Sequence, residues 1–384
     1  VAAPDTPRYL NGAWLAKRAT GVERTAGCIV AAIDRALGPD DGRFTLLHPP
    51  GVTPPRLARV QARAVGPAGL PRHAWEQGVL PRAARDGLLL SLAGSAPAFA
   101  ARQVATLHDA AVFDVPHAYT RAFCAWYRWL FRRLARRAEA VLTVSAFSRD
   151  ALARATGVAA DRFVVVPNGA DHLAGIPADD AVLARLGACP GRVLLAVGSA
   201  NATKNLDALV RAFATLGARD DATLAIVGGG NAQVFAGGGA RERGPRGGAT
   251  AHGAPPAQGS PPVDPPRVLR LGALPDAQLK ALYETARALV FPSTYEGFGL
   301  PPLEAMACGC PVVAARAAAL PEVCGDAALY VDPRSDASIA EAMRRVLEDD
   351  ALCARLREAG LARAAAFTWD AAAARVLQVL RGLP

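Results

Sequence analysis

Short apolar runs recur along the chain, and between them apolar residues return every three or four positions. The runs at 43–48 (RFTLLH), 88–92, 104–107, 140–144 and 163–166 have the length and composition of buried strands. So do those at 193–197, 223–227, 268–271, 288–291 and 311–314. The periodic stretches 25–36, 119–139, 206–216, 276–285 and 338–347 predict helices. Strands that alternate with helices join through right-handed crossovers into parallel sheets, so the fold class is α/β. At 384 residues the chain exceeds one ordinary core and suits two domains.

The pattern breaks twice. After the turn Val166-Pro-Asn-Gly-Ala-Asp171 comes a segment with several Gly, Pro and Asp residues, and residues 172–191 read as an interdomain linker. Between 228 and 266 Gly, Pro and Ala dominate without periodicity, which predicts a surface insertion between two strands. The GGG at Gly228 lacks the G-x-G-x-x-G spacing and no helix follows it, so it reads as loop rather than as a phosphate site.

Composition narrows the function classes. Charged residues are 20% and hydrophobic residues 52%, which excludes a disordered polyelectrolyte. The net charge of +9 is almost all arginine, since lysine stands only at Lys17, Lys204 and Lys280. That balance admits anionic partners without selecting one. The N-terminal stretch VAAPDTPRYLNGAW lacks the apolar core of a secretory signal, and no apolar run reaches the roughly 20 residues that cross a bilayer. Seven cysteines at irregular spacing, with no C-x-x-C pair, indicate neither a zinc ribbon nor a redox site and predict a reducing compartment. Cys308-Gly-Cys310 reads as small buried residues. The expected location is cytoplasmic.

Several chemical signatures are missing: the G-x-x-x-x-G-K-[ST] loop, H-E-x-x-H, and the D-x-D pair that holds a diphosphate through a divalent ion. No metal site is therefore expected, and anion binding should rest on backbone dipoles and basic side chains. The most informative stretch is 288–313, ALVFPSTYEGFGLPPLEAMACGCPVV. A strand enters a polar loop, Gly297 and Gly299 remove side chains, and Pro301 and Pro302 fit the first turn of a helix that Gly309 ends. Amides at such a helix start can meet a phosphate. Glu296 in the loop and Glu304 in the expected first helical turn would repel a phosphate, but they suit the hydroxyls of a sugar and a ribose. The bland alternative is a solvated Glu296 and a Glu304 that serves the helix dipole. No Ser or Thr stands three residues before Glu304, which weakens a capping-box explanation.

The stretch 193–206, VLLAVGSANATKNL, is a strand, a polar loop with Asn201, Lys204 and Asn205, and a helix start. Ligands of open parallel sheets collect beyond the strands' carboxyl ends. A lysine there suits a diphosphate, against the alternative of a solvated first-turn residue. His108, in Ala105-Thr-Leu-His-Asp109, also ends a strand. It could donate to a sugar hydroxyl or transfer a proton, although taken alone it reads better as a buried, satisfied histidine. Thr20-Gly-Val-Glu-Arg24 opens the first long helix, and its amides could approach a phosphate from the other domain.

Together these pieces resemble glycosyltransferase family 4. The Glu-x7-Glu element matches as Glu296 and Glu304, with AVLTVSAFSRDAL, VVVPNGAD, VGSANATKNLDALVRAF, LGALPDAQLKALYETARALVFPS and AALPEVCGDAALYVDP matching around it. The N-terminal half fits more loosely through NGAWLAKRATGVERTA, HAWEQGVLPRAA and ATLHDAAVFDVP, nearest to bacterial mannosyltransferase-like members that build O-antigen or exopolysaccharide. The resemblance implies a GT-B fold, two Rossmann-like domains facing across a cleft. The expected boundaries are 1–171 for the acceptor-side domain, 172–191 for the linker, 192–365 for the donor domain with its insertion at 228–266, and 366–384 for a helix returning to the first domain.

The resemblance also implies roles. Glu304 binds the donor ribose, and Glu296 contacts the transferred sugar. Phe298, Gly299 and Leu300 offer backbone amides, and Lys204 neutralises the diphosphate with Ser199 and Asn205 of its loop alongside. Leu274, at the end of 271–274, lies by the nucleobase. His108 reaches the donor sugar, and Gly21 faces the phosphates. Many members place an arginine where this chain has Ser199-Ala-Asn-Ala, so Arg316, the helix start or bulk Mg²⁺ must supply the missing positive charge. The implied reaction is retaining transfer of a hexose from GDP-mannose or a UDP-sugar to a saccharide or lipid-linked acceptor. No tightly bound cofactor is implied, and Mg²⁺ is left a stimulatory role.

Residues 119–137, YTRAFCAWYRWLFRRLARR, carry Phe123, Trp126, Tyr127, Leu130, Phe131 and Leu134 at helical spacing beside a stripe of Arg128, Arg132 and Arg136. The ordinary reading packs the aromatic face on the sheet, while the arginines face solvent or the headgroups of an anionic membrane at the inner face of the cell. Dispersed arginines without a recognised module predict no nucleic-acid partner. The rival functions are an epimerase or a glycogen-type synthase on the same architecture, and a non-catalytic scaffold or membrane-surface protein.

Overall fold

The protein, described from a computed structural model over residues 6–17, 20–38, 41–186, 191–216, 222–228 and 267–383, is built on two parallel sheets. The first holds β1 (Arg8–Asn11), β2 (Phe44–His48), β3 (Gln61–Ala64), β4 (Leu88–Ser91), β5 (Gln103–Thr106), β6 (Ala140–Thr143) and β7 (Phe163–Val165), in the order β3-β2-β1-β4-β5-β6-β7. The second holds β8 (Val193–Val197), β9 (Thr223–Val227), β10 (Arg267–Gly272), β11 (Ala288–Phe291), β12 (Val312–Ala315) and β13 (Ala328–Val331), in the order β10-β9-β8-β11-β12-β13. Both sheets run outward in two directions from a first strand, the doubly wound arrangement of Rossmann-like domains. The expected α/β class and twin parallel-sheet architecture are both present.

The ten expected strands all form, with ends shifted by a residue or so. Three more fill the sheets. β1 is the central strand of the first sheet, where Tyr9 and Leu10 are buried by neighbours on both sides. Its four residues are too short a run to register as a period. β3 has all four residues exposed and is held by backbone pairing to β2 alone, so it carries no hydrophobic signal. β13 closes the far edge of the second sheet against β12.

The first long helix starts four residues before the expected 25, at Gly21, because Thr20 caps it. The Glu23 carboxylate accepts from the Thr20 amide at 3.2 Å and from its hydroxyl, a capping box that T-x-x-E spells out in the sequence. The helix Trp369–Arg381 packs into the core of the first sheet: Trp369, Ala373, Val376 and Leu377 share a buried cluster with Leu10, Ile29 and Ile33. Where that return crosses the outgoing chain, a Cβ on Gly169 would meet the Trp369 amide nitrogen at 2.3 Å, so only glycine fits. The Asp171 carboxylate accepts from that amide at 2.8 Å. Of the expected linker, residues 187–190 lie outside the described residues, as do residues 229–266 of the insertion.

Candidate active site

In a doubly wound sheet a crevice opens where neighbouring strands send their connections to opposite faces. In the second domain that point lies between β8 and β11. The loop after β8 carries Lys204 and the loop after β11 carries Glu296. The two loops are laced together by one carbonyl: Thr203 O accepts from the Thr294 amide and from the Ser293 hydroxyl, each at 2.8 Å. Lys204 Nζ then lies 2.6 Å from Glu296 Oε1, with exposures of 20% and 13%, a largely desolvated pair at the rim of the cleft. Asn205 enters the next helix with a left-handed φ of 57°. Its amide donates to Pro292 O at 3.2 Å and Pro333 O at 2.7 Å. Both amide hydrogens are thus committed to holding the loop, which leaves only Oδ1 for a ligand.

Beyond Glu296 the chain folds back on itself. Gly299 sits at φ 100° and starts the helix Leu300–Ala307. Phe298 is buried against Phe367, their rings 5.9 Å apart, so its side chain serves the core and only its amide is on offer. Among the described residues the amides of Phe298, Gly299 and Leu300 donate to no protein acceptor. Three free N–H groups at a helix start form an anion cradle. Glu304 is the fifth residue of this helix, not a first-turn residue as the sequence suggested. A dipole role therefore explains it poorly, because that effect fades within the first turn.

Glu304 is instead a buried hub, 3% exposed. The Tyr283 hydroxyl donates to Oε2 at 3.1 Å, and His172 Nε2 lies 3.1 Å from Oε1. The Trp369 indole N–H donates to His172 Nδ1 at 3.2 Å, which fixes the ring beside the carboxylate. Arg24 Nε, from the first domain, lies 3.6 Å from Oε1. Burial and the Glu304 charge push the Tyr283 phenol well above its ordinary range, so it stays a donor.

The first domain faces this crevice with loops from its own switch point. Gly21 starts the helix after β1, with open space where a Cβ would point. Gly94 follows β4, and a Cβ there would meet His108 Cδ2 at 3.2 Å. His108 follows β5, and its Nε2 lies 2.9 Å from Leu92 O. A ring nitrogen bonded to a carbonyl must carry the proton. Burial pushes the imidazole below its ordinary value, so it is neutral near pH 7. Nδ1 is then an acceptor, which corrects the expectation that His108 donates to a sugar hydroxyl.

The domains touch at Gly297. A Cβ there would lie 2.4 Å from His108 O, and Gly297 O accepts from the Ser145 and Ser148 hydroxyls at 2.6 and 3.0 Å. The Tyr295 hydroxyl reaches Asp114 Oδ2 at 2.9 Å. The Glu322 carboxylate accepts from the Ala146 and Phe147 amides at 2.7 and 2.9 Å.

Several participants carry no local sequence signal. Arg24, Asp276, His172 and Tyr283 meet Glu304 or one another only through the tertiary fold. Asp109 could have been found, since it follows His108 at the strand end. Burial pushes its carboxyl up, and the Glu296 charge adds to this while the Ala111 amide and Lys204 oppose it. Other expected residues stay apart from the cluster. The Arg316 guanidinium lies 4.5 Å over the Tyr330 ring, and no ion pair joins it to Glu296 or Glu304. Leu274 packs on the edge of the second domain's core, and Ser199 is half-buried in the Lys204 loop. Among the described residues no group of three or more His, Cys, Asp or Glu side chains could hold a metal ion.

The sequence matches the family described as Glycosyl transferases group 1 over residues 191–349 and Glycosyltransferase Family 4 over residues 44–172. It is also 31% identical to the O-antigen chain mannosyltransferase B of Escherichia coli, covering 70% of this chain and 67% of that protein. The chain belongs to glycosyltransferase family 4. Its fold is that of sucrose-phosphate synthase from Thermosynechococcus elongatus, at a TM-score of 0.71, 20% identity and 98% coverage of both chains. It is equally that of Anabaena HepE in complex with UDP and glucose, at a TM-score of 0.70, 18% identity, and coverage of 98% of this chain and 100% of that one. Both are GT-B architectures, as expected from the sequence. The family assigns the chain glycosyl transfer rather than the non-catalytic alternative.

Proposed function

We propose that this glycosyltransferase moves a hexose with retention from a nucleotide sugar to a saccharide or lipid-linked acceptor in surface polysaccharide synthesis. The observation that carries the reading is the meeting of Lys204 and Glu296, 2.6 Å apart at the switch point, beside the three free amides of Phe298, Gly299 and Leu300. Glu304 takes the ribose hydroxyls, and the amides with Lys204 take the diphosphate. Charge that grows on the leaving oxygens meets donors already in place. Lys204 is held by Glu296 until a more highly charged diphosphate competes for it. The departing phosphate oxygen serves as base for the acceptor hydroxyl, which attacks from the same face. Neutral His108 accepts through Nδ1 from a hydroxyl of the transferred sugar.

The donor we favour is GDP-mannose, supported by the resemblance to the Escherichia coli mannosyltransferase, with UDP-sugars as the runner-up, supported by HepE and its bound UDP. Mg²⁺ enters as a stimulatory counter-ion. A thermal-shift panel of nucleotide sugars tests the donor, since a ligand of the folded state raises the melting point. GDP-mannose should give the largest shift, and a panel without any shift overturns the reading.

We also propose a peripheral place on an anionic membrane surface, at the cytoplasmic face, a reading that the helix Arg121–Arg137 supports. No helix among the described residues is long and apolar enough to cross a membrane. Tyr127, Leu130, Phe131 and Leu134 are buried, but Trp126 and Trp129 are 37% and 43% exposed and Phe99 beside them is 68% exposed. The aromatic stripe thus splits, and the expectation that Trp126 packs inward is corrected. Arg121, Arg128, Arg132, Arg133, Arg136 and Arg137 form no ion pair with a carboxylate among the described residues, so their field is uncompensated. Just ahead of the helix, burial and the nearby Asp109 and Glu296 charges push the Tyr119 phenol up, so one end of this surface adjoins the site. Flotation with phosphatidylglycerol vesicles should be strong at low salt and weak at high salt. Equal binding to neutral vesicles counts against it.

A further inference from the structure

Arg24 lies one turn into the helix Gly21–Ala36 of the first domain, yet its guanidinium sits among carboxylates of the second. Its two terminal nitrogens donate to the two oxygens of Asp276 at 2.6 Å each, and Nε lies 3.6 Å from Glu304 Oε1. The side chain is 21% exposed and that of Glu304 is 4% exposed. Arg24 is the obvious candidate for the positive charge missing near Ser199, and simple counting argues against it. One guanidinium faces two carboxylates, so the cluster is net negative and has no charge to lend a diphosphate. Burial alone would weaken the cation, but the Asp276 hydrogen bonds and the two acidic charges hold it firmly protonated.

We propose that Arg24 is a positioning residue, an interdomain latch. It closes the first domain onto the donor domain through Asp276 and aims Glu304 at the ribose. The proposal rests on the reading of Glu304 as the ribose carboxylate. An ionised carboxylate has about four acceptor positions. Tyr283 donates to one oxygen from a helix of the donor domain itself, and His172 Nε2 lies by the other from the segment between the domains. Arg24 reaches Glu304 only when the cleft is shut. Its planar fork engages both oxygens of Asp276 at once, a geometry that lysine cannot reproduce. Opening strips Arg24 from both acids and returns Asp276 to water. Closure and donor binding are therefore coupled, and by linkage each strengthens the other.

The test uses the full chain and two readouts, the radius of gyration by small-angle scattering with and without GDP, and steady-state kinetics. R24A and D276N should both give a more expanded protein at saturating GDP and raise the donor KM about 5- to 150-fold. R24K should recover part of the loss. The double variant R24A/D276N should be no worse than the worse single variant, because both remove the same contact. Wild-type dimensions and wild-type KM in R24A and D276N overturn the latch, and so do strictly additive effects. If R24A does not fold, R24K and D276N carry the same comparison. If the wild type binds no nucleotide, the functional reading fails. The unliganded dimensions still test the latch, since only a latch expands the variants.

Discussion

Adding one methyl group at Gly297 should separate the two domains without harming either. The Cβ of Gly297→Ala would stand 2.4 Å from His108 O and 2.8 Å from Asp109 Cβ. Carbon atoms sit comfortably at about 3.5 Å or more from such neighbours, so the loops must part by about 1 Å. The obstacles are a backbone carbonyl and a Cβ, neither of which can rotate away. Overpacking of this kind costs about 1–3 kcal/mol. The cost falls on the closed form alone, because an open cleft removes the collision. At 1.4 kcal/mol per tenfold, the closed population drops roughly 5- to 150-fold relative to the open one. Transfer of labelled hexose, measured as kcat/KM, should fall by that factor. The melting temperature should change little, since neither sheet's core is touched. Wild-type kcat/KM in Gly297→Ala would refute the reasoning, because it would mean that the protein works without the contact between Gly297 and the His108 carbonyl.

Other outcomes follow from the same geometry. Lys204→Ala removes the only side-chain cation facing Glu296 among the described residues and should lower kcat about 10²- to 10³-fold with the fold intact, as checked by circular dichroism. His108 titrates below its ordinary 6.5 in the folded protein, so its contribution to stability is full above that value. The contribution is lost as pH falls through the window beneath 6.5, where the unfolded chain takes up the proton first. Denaturant melts at pH 7.5 and 5 should therefore show the wild type losing stability relative to His108→Gln, which keeps an N–H for Leu92 O and has nothing to titrate.

Much of the second domain was legible in the chain because its strands are continuous apolar runs and its site loops follow them directly. Val193–Val197 and Ala288–Phe291 are such runs, and the polar loops after them carry Lys204 and Glu296. The family resemblance added Glu304 and His108, whose local patterns alone are ambiguous. The first domain read less clearly. β1 and β3 are four residues each, one buried from both sides and the other wholly exposed, and neither makes a detectable period. The latch was illegible for a different reason. Arg24 and Asp276 are 252 positions apart, and their pairing exists only after both sheets have formed and met. The T-x-x-E of Thr20 and Glu23 could have marked the helix start that delivers Arg24, although the periodicity alone put that start at 25, and nothing local marked its partner. The protonation of His108 likewise depends on Leu92 O, which the neighbouring strand β4 brings into range.

The central claim is that the crevice between the loops after β8 and β11 grips a nucleotide sugar by its diphosphate and ribose. Calorimetric titration of GDP-mannose into the wild type and into Glu304→Gln tests it most directly. The account predicts saturable binding to the wild type, weakened about tenfold or more in the variant, in line with charged hydrogen bonds of about 1.5–3 kcal/mol. Undiminished binding in Glu304→Gln would contradict it.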